Sequence, residues 1–450
     1  MVEYNSYKKS SYDWLGKIPS HWEEKFLEQT ASEKCIKNVS NSVIQVLSLS
    51  YGEIIKKNDL NKGLIAQDLS TYQVIRPGDI IMRLTDLQND HRSLRTGLVK
   101  DEGIITSAYL CLVPRIDSEY LHYLLHAYDV QKVFYGMGGG VRQSIGFKDI
   151  RHMYVPVPPR AEQDQIVRFL DWKVSKANTL INIKKKEIKS VESLKHSAVS
   201  DAVTHGLTAD IPMKYSGVKW LGDIPAHWTT IKLRQLLSSV SEKNHPELPL
   251  LSVVREQGVI VRDVDDKEAN HNYIPDDLSG YKMVKKGQFV MNKMKAWQGS
   301  YGISDYTGIV SPAYFIFDVA FDNLEYFHYA IRSKVYVNFF AQASDGIRVG
   351  QWDLQMDKMK EIPFIVPPAD EQIAIVEHIK KTLPKYDEAI EKIKAEVAVL
   401  EEYKAKLIAD IVTGKIDVRN ITVPEYEHVD DIVDDDLENN EETEIDGEEA

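Results

Sequence analysis

Apolar positions along this 450-residue chain alternate between two periodicities, and the alternation is written twice. Residues 1 to 158 and 213 to 366 carry short apolar runs rich in β-branched and aromatic residues, broken by Gly, Asp and Pro. These runs are Val43 to Leu49, Asp79 to Leu84 and Ile104 to Val113 in the first stretch, and Leu250 to Val254, Gln288 to Met291 and Ile309 to Val319 in the second. Runs of that length and composition predict strands. Helical spacing interrupts them at Glu119 to Val133 and at Leu324 to Phe340, and Arg76-Pro77-Gly78-Asp79 and Lys285-Lys286-Gly287-Gln288 predict matching turns into a strand. Each stretch reads as an α+β globular domain.

After Pro158-Pro159 and again after Pro367-Pro368, which must stop any preceding element, the period changes to alternating steps of three and four. The first series is Val174, Ala177, Ile181, Lys184, Ile188, Val191, Lys195, Ala198 and Ala202. The second, in the same register, is Leu383, Tyr386, Ile390, Ile393, Val397, Leu400, Lys404, Leu407 and Ile411. A seam held for about four heptads predicts a coiled coil, and thirty residues at ~1.5 Å each make a rod of ~45 Å. Because both helices lie in one chain, the expectation is that they pair antiparallel with each other. Lys195 and Lys404 occupy equivalent seam positions and must snorkel or meet another subunit.

The two halves also share motifs. Trp14-Leu15-Gly16-Lys17-Ile18-Pro19-Ser20-His21-Trp22 recurs as Trp220-Leu221-Gly222-Asp223-Ile224-Pro225-Ala226-His227-Trp228. Ile104-Ile105-Thr106-Ser107-Ala108-Tyr109 answers to Ile309-Val310-Ser311-Pro312-Ala313-Tyr314. Pro158-Pro159-Arg160-Ala161-Glu162-Gln163 answers to Pro367-Pro368-Ala369-Asp370-Glu371-Gln372, and Asp201-Ala202-Val203-Thr204 to Asp410-Ile411-Val412-Thr413. A spacing of about 200 residues far exceeds the ~20–50 of a solenoid or propeller unit, so each copy is a domain in its own right. Between the motifs the copies diverge, as residues 86 to 97 against 295 to 306 show. The expected division is a globular domain at 1–158, a helix at 159–206, a second globular domain at 207–366, a second helix at 367–416 and an acidic, disordered tail at 417–450.

Charge sharpens this picture. From Ile421 to Ala450 there are 14 Asp or Glu and no Lys or Arg; removing them from the 68 acidic residues leaves 54 against 55 basic ones, so a nearly neutral body carries an acidic tail. No signal peptide and no run of ~20 apolar residues is present, which predicts a soluble, cytoplasmic protein without a membrane partner. Cys35 and Cys111, the only cysteines, form neither a disulfide framework nor a zinc site and read as buried thiols.

Catalysis finds no support. There is no phosphate loop, no Gly-x-Gly-x-x-Gly after a strand and no His-Glu-x-x-His; Gly136-Met137-Gly138-Gly139-Gly140 lacks the following Lys-Ser/Thr. The Pro-Pro pairs are preceded by Val157 and Val366 rather than by the Asn or Asp of an adenine-methylating loop. His21 and His227 read as packing residues. No cofactor or metal is expected. Binding remains, and the divergent segments carry side chains able to read base edges: Arg83, Gln88, Asn89, Arg92 and Arg95 in one copy, Lys293, Lys295, Trp297 and Gln298 in the other. A second glycine-flanked segment follows each, with Arg142 and Gln143 in the first copy and Arg348 and Gln351 in the second. A peptide-docking scaffold could share the coiled coil, but it would show no salt-sensitive binding to duplex DNA.

The alternation of two variable domains with two similar helices, the repeated Trp-Leu-Gly-x-Ile-Pro-x-His-Trp opening, the Pro-Pro-x-x-Glu-Gln start of each helix and the Asp-x-Val-Thr-(His)-Gly exit resemble the specificity subunit of type I restriction-modification systems, over residues 4 to about 420. The resemblance implies that each variable domain is a target recognition domain reading one half of a split, asymmetric site in double-stranded DNA. It implies that the helices form an antiparallel coiled coil fixing the spacer and docking two modification (methyltransferase) subunits, and that restriction (translocase-nuclease) subunits join through the complex. The docking residues on the coiled coil would be Ile181, Ile188, Val191, Lys195, Ile390, Val397, Leu400, Lys404 and Leu407. The acidic tail departs from the family's pattern.

Overall fold

The computed structural model describes residues 2–12, 14–57, 69–85, 87, 94–136, 145–263, 274–275, 277–348 and 351–430, with the backbone alone at 347, 348 and 351. These residues gather into two compact units, one built from residues 2–185 together with 395–430 and the other from residues 186–394. Each unit takes a length of both long helices, so neither follows the simple domain order of the chain.

In the first unit a four-stranded antiparallel sheet runs in the order Ala31–Lys34, Leu110–Pro114, Ile80–Met82, Thr96–Leu98. The helix Ser118–Val130 begins where the Asp117 carboxylate accepts the Tyr120 N–H, and it buries Tyr120, Leu121, Leu124, Leu125 and Tyr128. The apolar run Ile104 to Val113 is two strands rather than one. A turn closed from Tyr109 N–H to the Thr106 carbonyl breaks it, so Gly103–Ile105 pairs with Gln73–Ile75 while Leu110–Pro114 enters the sheet.

In the second unit the sheet order is Leu237–Val240, Tyr314–Val319, Phe289–Asn292, Tyr301–Ile303. The run Ile309 to Val319 splits at an equivalent turn, from Tyr314 N–H to the Ser311 carbonyl. The single helix expected over Leu324 to Phe340 is also two, Leu324–Ile331 and Lys334–Gln342, because Ser333 has the extended ψ of 153° that no α-helix tolerates.

The long helices cover Arg160–His205 and Ala369–Val412. Each starts directly after its Pro-Pro pair, where the motif glutamine folds back: Gln163 Nε2 donates to the Pro158 carbonyl and Gln372 Nε2 to the Pro367 carbonyl, both at 2.8 Å. Each is stopped by a glycine in the left-handed region, Gly206 at φ 77° and Gly414 at φ 75°. The second helix passes through Pro384 and forfeits one backbone hydrogen bond there. None of the eighteen seam positions is exposed, and Ala177, Ile181, Ala202, Ile390, Ile393, Leu407 and Ile411 are buried.

Within the first unit Lys184 pairs with Glu396 at 2.8 Å and Lys404 Nζ donates to Asn178 Oδ1 at 3.1 Å, so the two helix segments there run antiparallel. Within the second, Lys195 pairs with Asp387. All three seam lysines thus reach polar partners at the edge of the seam, as snorkelling requires.

Two further expectations change. Cys35 is exposed, lying just beyond the strand Ala31–Lys34; Cys111 is buried on the central strand, and burial reinforced by the Asp79 carboxylate pushes its thiol up to about 12. The acidic tail is not free from its start. Residues 417–430 form a strap along the first long helix, whose side chains hold its backbone: Gln165 Nε2 donates to the Val418 and Ile421 carbonyls, Ser175 Oγ to the Glu427 carbonyl, Asn178 Nδ2 to the Val429 carbonyl and Asn182 Nδ2 to the Asp430 carbonyl. Charge alone predicts disorder, but here the helix's amides and hydroxyl supply the missing partners and Val418 is fully buried. Residues 431–450 lie outside the described residues. No helix among the described residues is long and apolar enough to cross a membrane.

Candidate nucleic-acid interface

The repeated motifs converge. In the first unit Trp22 is fully buried, and its indole N–H donates to Glu162 Oε1 at 2.9 Å. The Tyr4 hydroxyl donates to the same oxygen at 2.8 Å, and His21 Nε2 lies 2.8 Å from Oε2. Burial and the neighbouring Glu162 push the Tyr4 phenol far above its ordinary value, which keeps it a donor. The helix-exit residue Gly414 closes the group, since a Cβ there would lie 2.3 Å from Pro19 Cδ. Opening, helix start and helix exit, distant in sequence, form one joint.

The second unit contains the corresponding joint. The Trp228 indole N–H donates to Glu371 Oε2 at 2.9 Å, His227 Nε2 pairs with Oε1, and a Cβ on Gly206 would lie 3.2 Å from Trp228. There the carboxylate is more open, with 31% of the Glu371 side chain accessible against 5% for Glu162. Sequence reading found the motifs but not Glu162 and Glu371 as their hubs. The signal was a carboxylate recurring at a fixed place in a chain that twice repeats a His-Trp pair.

The motifs therefore frame each domain internally, and a reading surface must come from the divergent segments. In the first unit Gln88, Asn89, Arg92, Arg142 and Gln143 lie outside the described residues. Arg83 is half-buried at the end of the strand Ile80–Met82, with its N–H donating to the Arg95 carbonyl at 2.8 Å. Arg95 is corrected: it is fully buried and cannot lie against DNA. Its Nη1 donates to the Arg83 and Thr85 carbonyls at 3.2 and 2.8 Å, and its Nε to the Tyr135 hydroxyl at 3.0 Å. A guanidinium there ties down the base of the variable segment. Arg95→Met should consequently lower thermal stability, by about 3 kcal/mol for a broken buried network, and leave the salt dependence of any DNA binding unchanged. Native stability together with a smaller salt slope in the Arg95→Met protein would return Arg95 to the surface.

The second unit has a comparable, half-buried clamp that the sequence did not reveal. Arg332 Nη1 donates to the Tyr301 carbonyl at 2.6 Å and its Nη2 to the Arg255 and Glu256 carbonyls, both at 2.8 Å. His328 beside it is lowered to about 4, by burial first and the Arg332 charge second.

The candidate residues of the second unit are brought together. Lys293 is half-buried and pairs with Asp353 at 2.7 Å, Lys295 is exposed, and Trp297 and Gln298 sit half-buried on the short 3-10 turn Ala296–Gln298. That turn packs beside the hairpin Ser344–Arg348/Gln351–Leu354, which carries Arg348 opposite Gln351 in the backbone pairing. The side chains of Arg348 and Gln351 lie outside those described. Among the described residues no cluster of His, Cys, Asp and Glu could hold a metal ion.

The nine expected docking residues all lie on the inward strip of the helices. Ile181, Ile390 and Leu407 are buried, and Ile188, Val191, Lys195, Val397, Leu400 and Lys404 are half-buried. The exposed apolar residues on these helices are others, Leu180, Ile183, Leu194, Val399 and Tyr403 among them.

Residues 98–190 match the family model of the type I restriction modification DNA specificity domain. Two curated proteins of Methanocaldococcus jannaschii are similar along most of their length. One, named for the specificity subunit of the MjaX type I restriction enzyme, is 25% identical over 442 residues, 90% of this chain and 96% of the relative. The other, the type I restriction enzyme MjaVIII specificity subunit, is 24% identical over 342 residues, 71% of this chain and 76% of the relative. In fold, the chain is similar to one in a solved structure described as the structural basis of complex assembly and conformational transition of the type I R-M system, with a TM-score of 0.55 at 13% identity, covering 89% of this chain and 99% of that one. The recurring joints and the match along most of the length of these relatives thus converge on one resemblance: the chain is similar to specificity subunits of type I restriction-modification systems.

Proposed function

We propose that this chain is the sequence-reading, non-catalytic subunit of a cytoplasmic type I restriction-modification complex, in which two copies of one recognition domain each read half of an asymmetric, interrupted site in double-stranded DNA. The observation that carries the reading is the joint made by opening, helix start and helix exit, found once around Glu162 and once around Glu371. Equivalent frames holding divergent segments are what two readers of different half-sites need. One domain reads only a few base pairs at ~1–3 kcal/mol each, so a genome-scale search requires two such energies to add.

The long helices supply the spacer as an antiparallel coiled coil and dock two modification subunits, through which the restriction subunits join. The antiparallel contacts inside the first unit support this pairing. Because the seam residues face inward, they set the pairing, and the docking surface consists of residues flanking them. Methyl transfer belongs to the modification subunits, and most of the affinity is phosphate contact.

The test is to co-express the chain with its modification subunit and map methylated adenines in the host genome. A two-part asymmetric motif is expected, abolished when this chain is omitted, and the purified chain alone should transfer no methyl group. A palindromic uninterrupted motif, or methylation by the isolated chain, would overturn the reading.

A further inference from the structure

Two indoles of the second unit are placed as a braced platform. Trp297 and Trp352 stack with ring centroids 5.3 Å apart and planes 24° from parallel. Trp352 stands on the strand Gln351–Leu354 opposite Gly346, where a Cβ would lie 3.3 Å from its Nε1, a tight contact that glycine avoids and that lets the indole lie close against the opposite strand. Trp297 is fixed from behind, on a turn whose Ala296 is fully buried, and the Lys293–Asp353 ion pair ties the sheet end to the hairpin. Even so, Trp352 remains 36% exposed. An indole held this rigidly loses little freedom on binding, and apolar area left in water at such a position favours a flat partner. Lys295 stands exposed at the start of the turn that carries Trp297. A braced aromatic pair with an exposed cation two residues from Trp297 on the same turn suits a base edge and a phosphate, which favours duplex DNA over an apolar protein partner.

Resting on the function proposed above, we infer that Trp352, braced by Trp297, is a specificity-determining residue of the second domain, making an apolar contact to a base edge in one half-site, while Lys295 contacts the adjoining phosphate. The arrangement discriminates against a base pair that removes the apolar edge, such as a thymine methyl, and is indifferent to the other half-site.

The experiment uses the full chain with its modification subunit and a pool of random-sequence duplexes, from which bound molecules are recovered and sequenced. The wild type should enrich two half-sites. Trp352→Ala should lose base preference at one or two positions of a single half-site, with a roughly ten- to hundredfold loss of affinity for the enriched duplex and an unchanged salt slope. Trp352→Phe, which keeps the stack and the fold, should weaken preference at the same positions. Lys295→Ala should weaken binding to all duplexes alike and reduce the salt slope by about one. Unaltered half-sites in both Trp352 variants, or a uniform loss for all sequences, would overturn the inference and leave the proposed function standing. A wild-type protein that enriches no sequence and binds duplex without salt sensitivity would overturn the proposed function itself.

Discussion

Replacing Glu162 by alanine should destabilise the first unit by about 3 kcal/mol, because it strands two buried donors, at roughly 1–3 kcal/mol each. These are the Trp22 indole N–H and the Tyr4 hydroxyl, both directed at Glu162 Oε1. For a unit near 200 residues this corresponds to a fall of about 6–12 °C in melting temperature. Glu371→Ala should cost clearly less. Among the described residues no tyrosine donates to it as Tyr4 does to Glu162, and its carboxylate is already partly in water. Glu162→Gln should preserve most of the stability, since one amide oxygen still accepts from both donors and the amide can donate to His21. Thermal unfolding of the full chain and the three variants checks the order; a Glu162→Ala protein as stable as the wild type would show that the joint does not depend on this carboxylate, and a Glu371→Ala loss as large as that of Glu162→Ala would show that burial does not set the difference.

Cutting the chain after Ile416 should cost on the order of 3 kcal/mol, whereas cutting it after Asp430 should change stability by less than about 0.5 kcal/mol. The first truncation removes fully buried Val418 together with partly buried Ile421 and Val423. It also removes the carbonyls of Glu427, Val429 and Asp430 held by Ser175, Asn178 and Asn182. The second truncation removes only residues outside that strap and most of the acidic charge. Protease sensitivity and thermal melting read both. If the chain ending at Asp430 were as unstable as the one ending at Ile416, the acidic residues beyond Asp430 would be holding the unit together through contacts of their own.

The strap also shows why composition misled at residues 417–430. Acidic, aromatic-poor sequence stays disordered when nothing satisfies its backbone. A row of Ser175, Asn178 and Asn182 at helical spacing satisfies it here, yet in the sequence those residues are indistinguishable from an ordinary polar helix face.

What the sequence determined by itself was the place of the two long helices and the seam along them. The two long helices fall at Arg160–His205 and Ala369–Val412, close to the expected 159–206 and 367–416, because the Pro-Pro pairs, the glutamine caps and the terminal glycines are local signals. The seam was equally legible, since burial along a helix follows from spacing alone. Tertiary structure decided what depends on partners far away in the chain. Glu162 becomes a hub only when Tyr4, His21 and Trp22 meet it from 140 or more residues away. Arg95, which reads as a surface cation in a polar stretch, is drawn inside because the Arg83 and Thr85 carbonyls and Tyr135 need its donors. Trp352 becomes a platform only when the hairpin lays it on Trp297, 55 positions earlier. Local sequence sets the period of an element; which of its polar and aromatic groups are satisfied, buried or presented is fixed by long-range contacts that no window of residues contains.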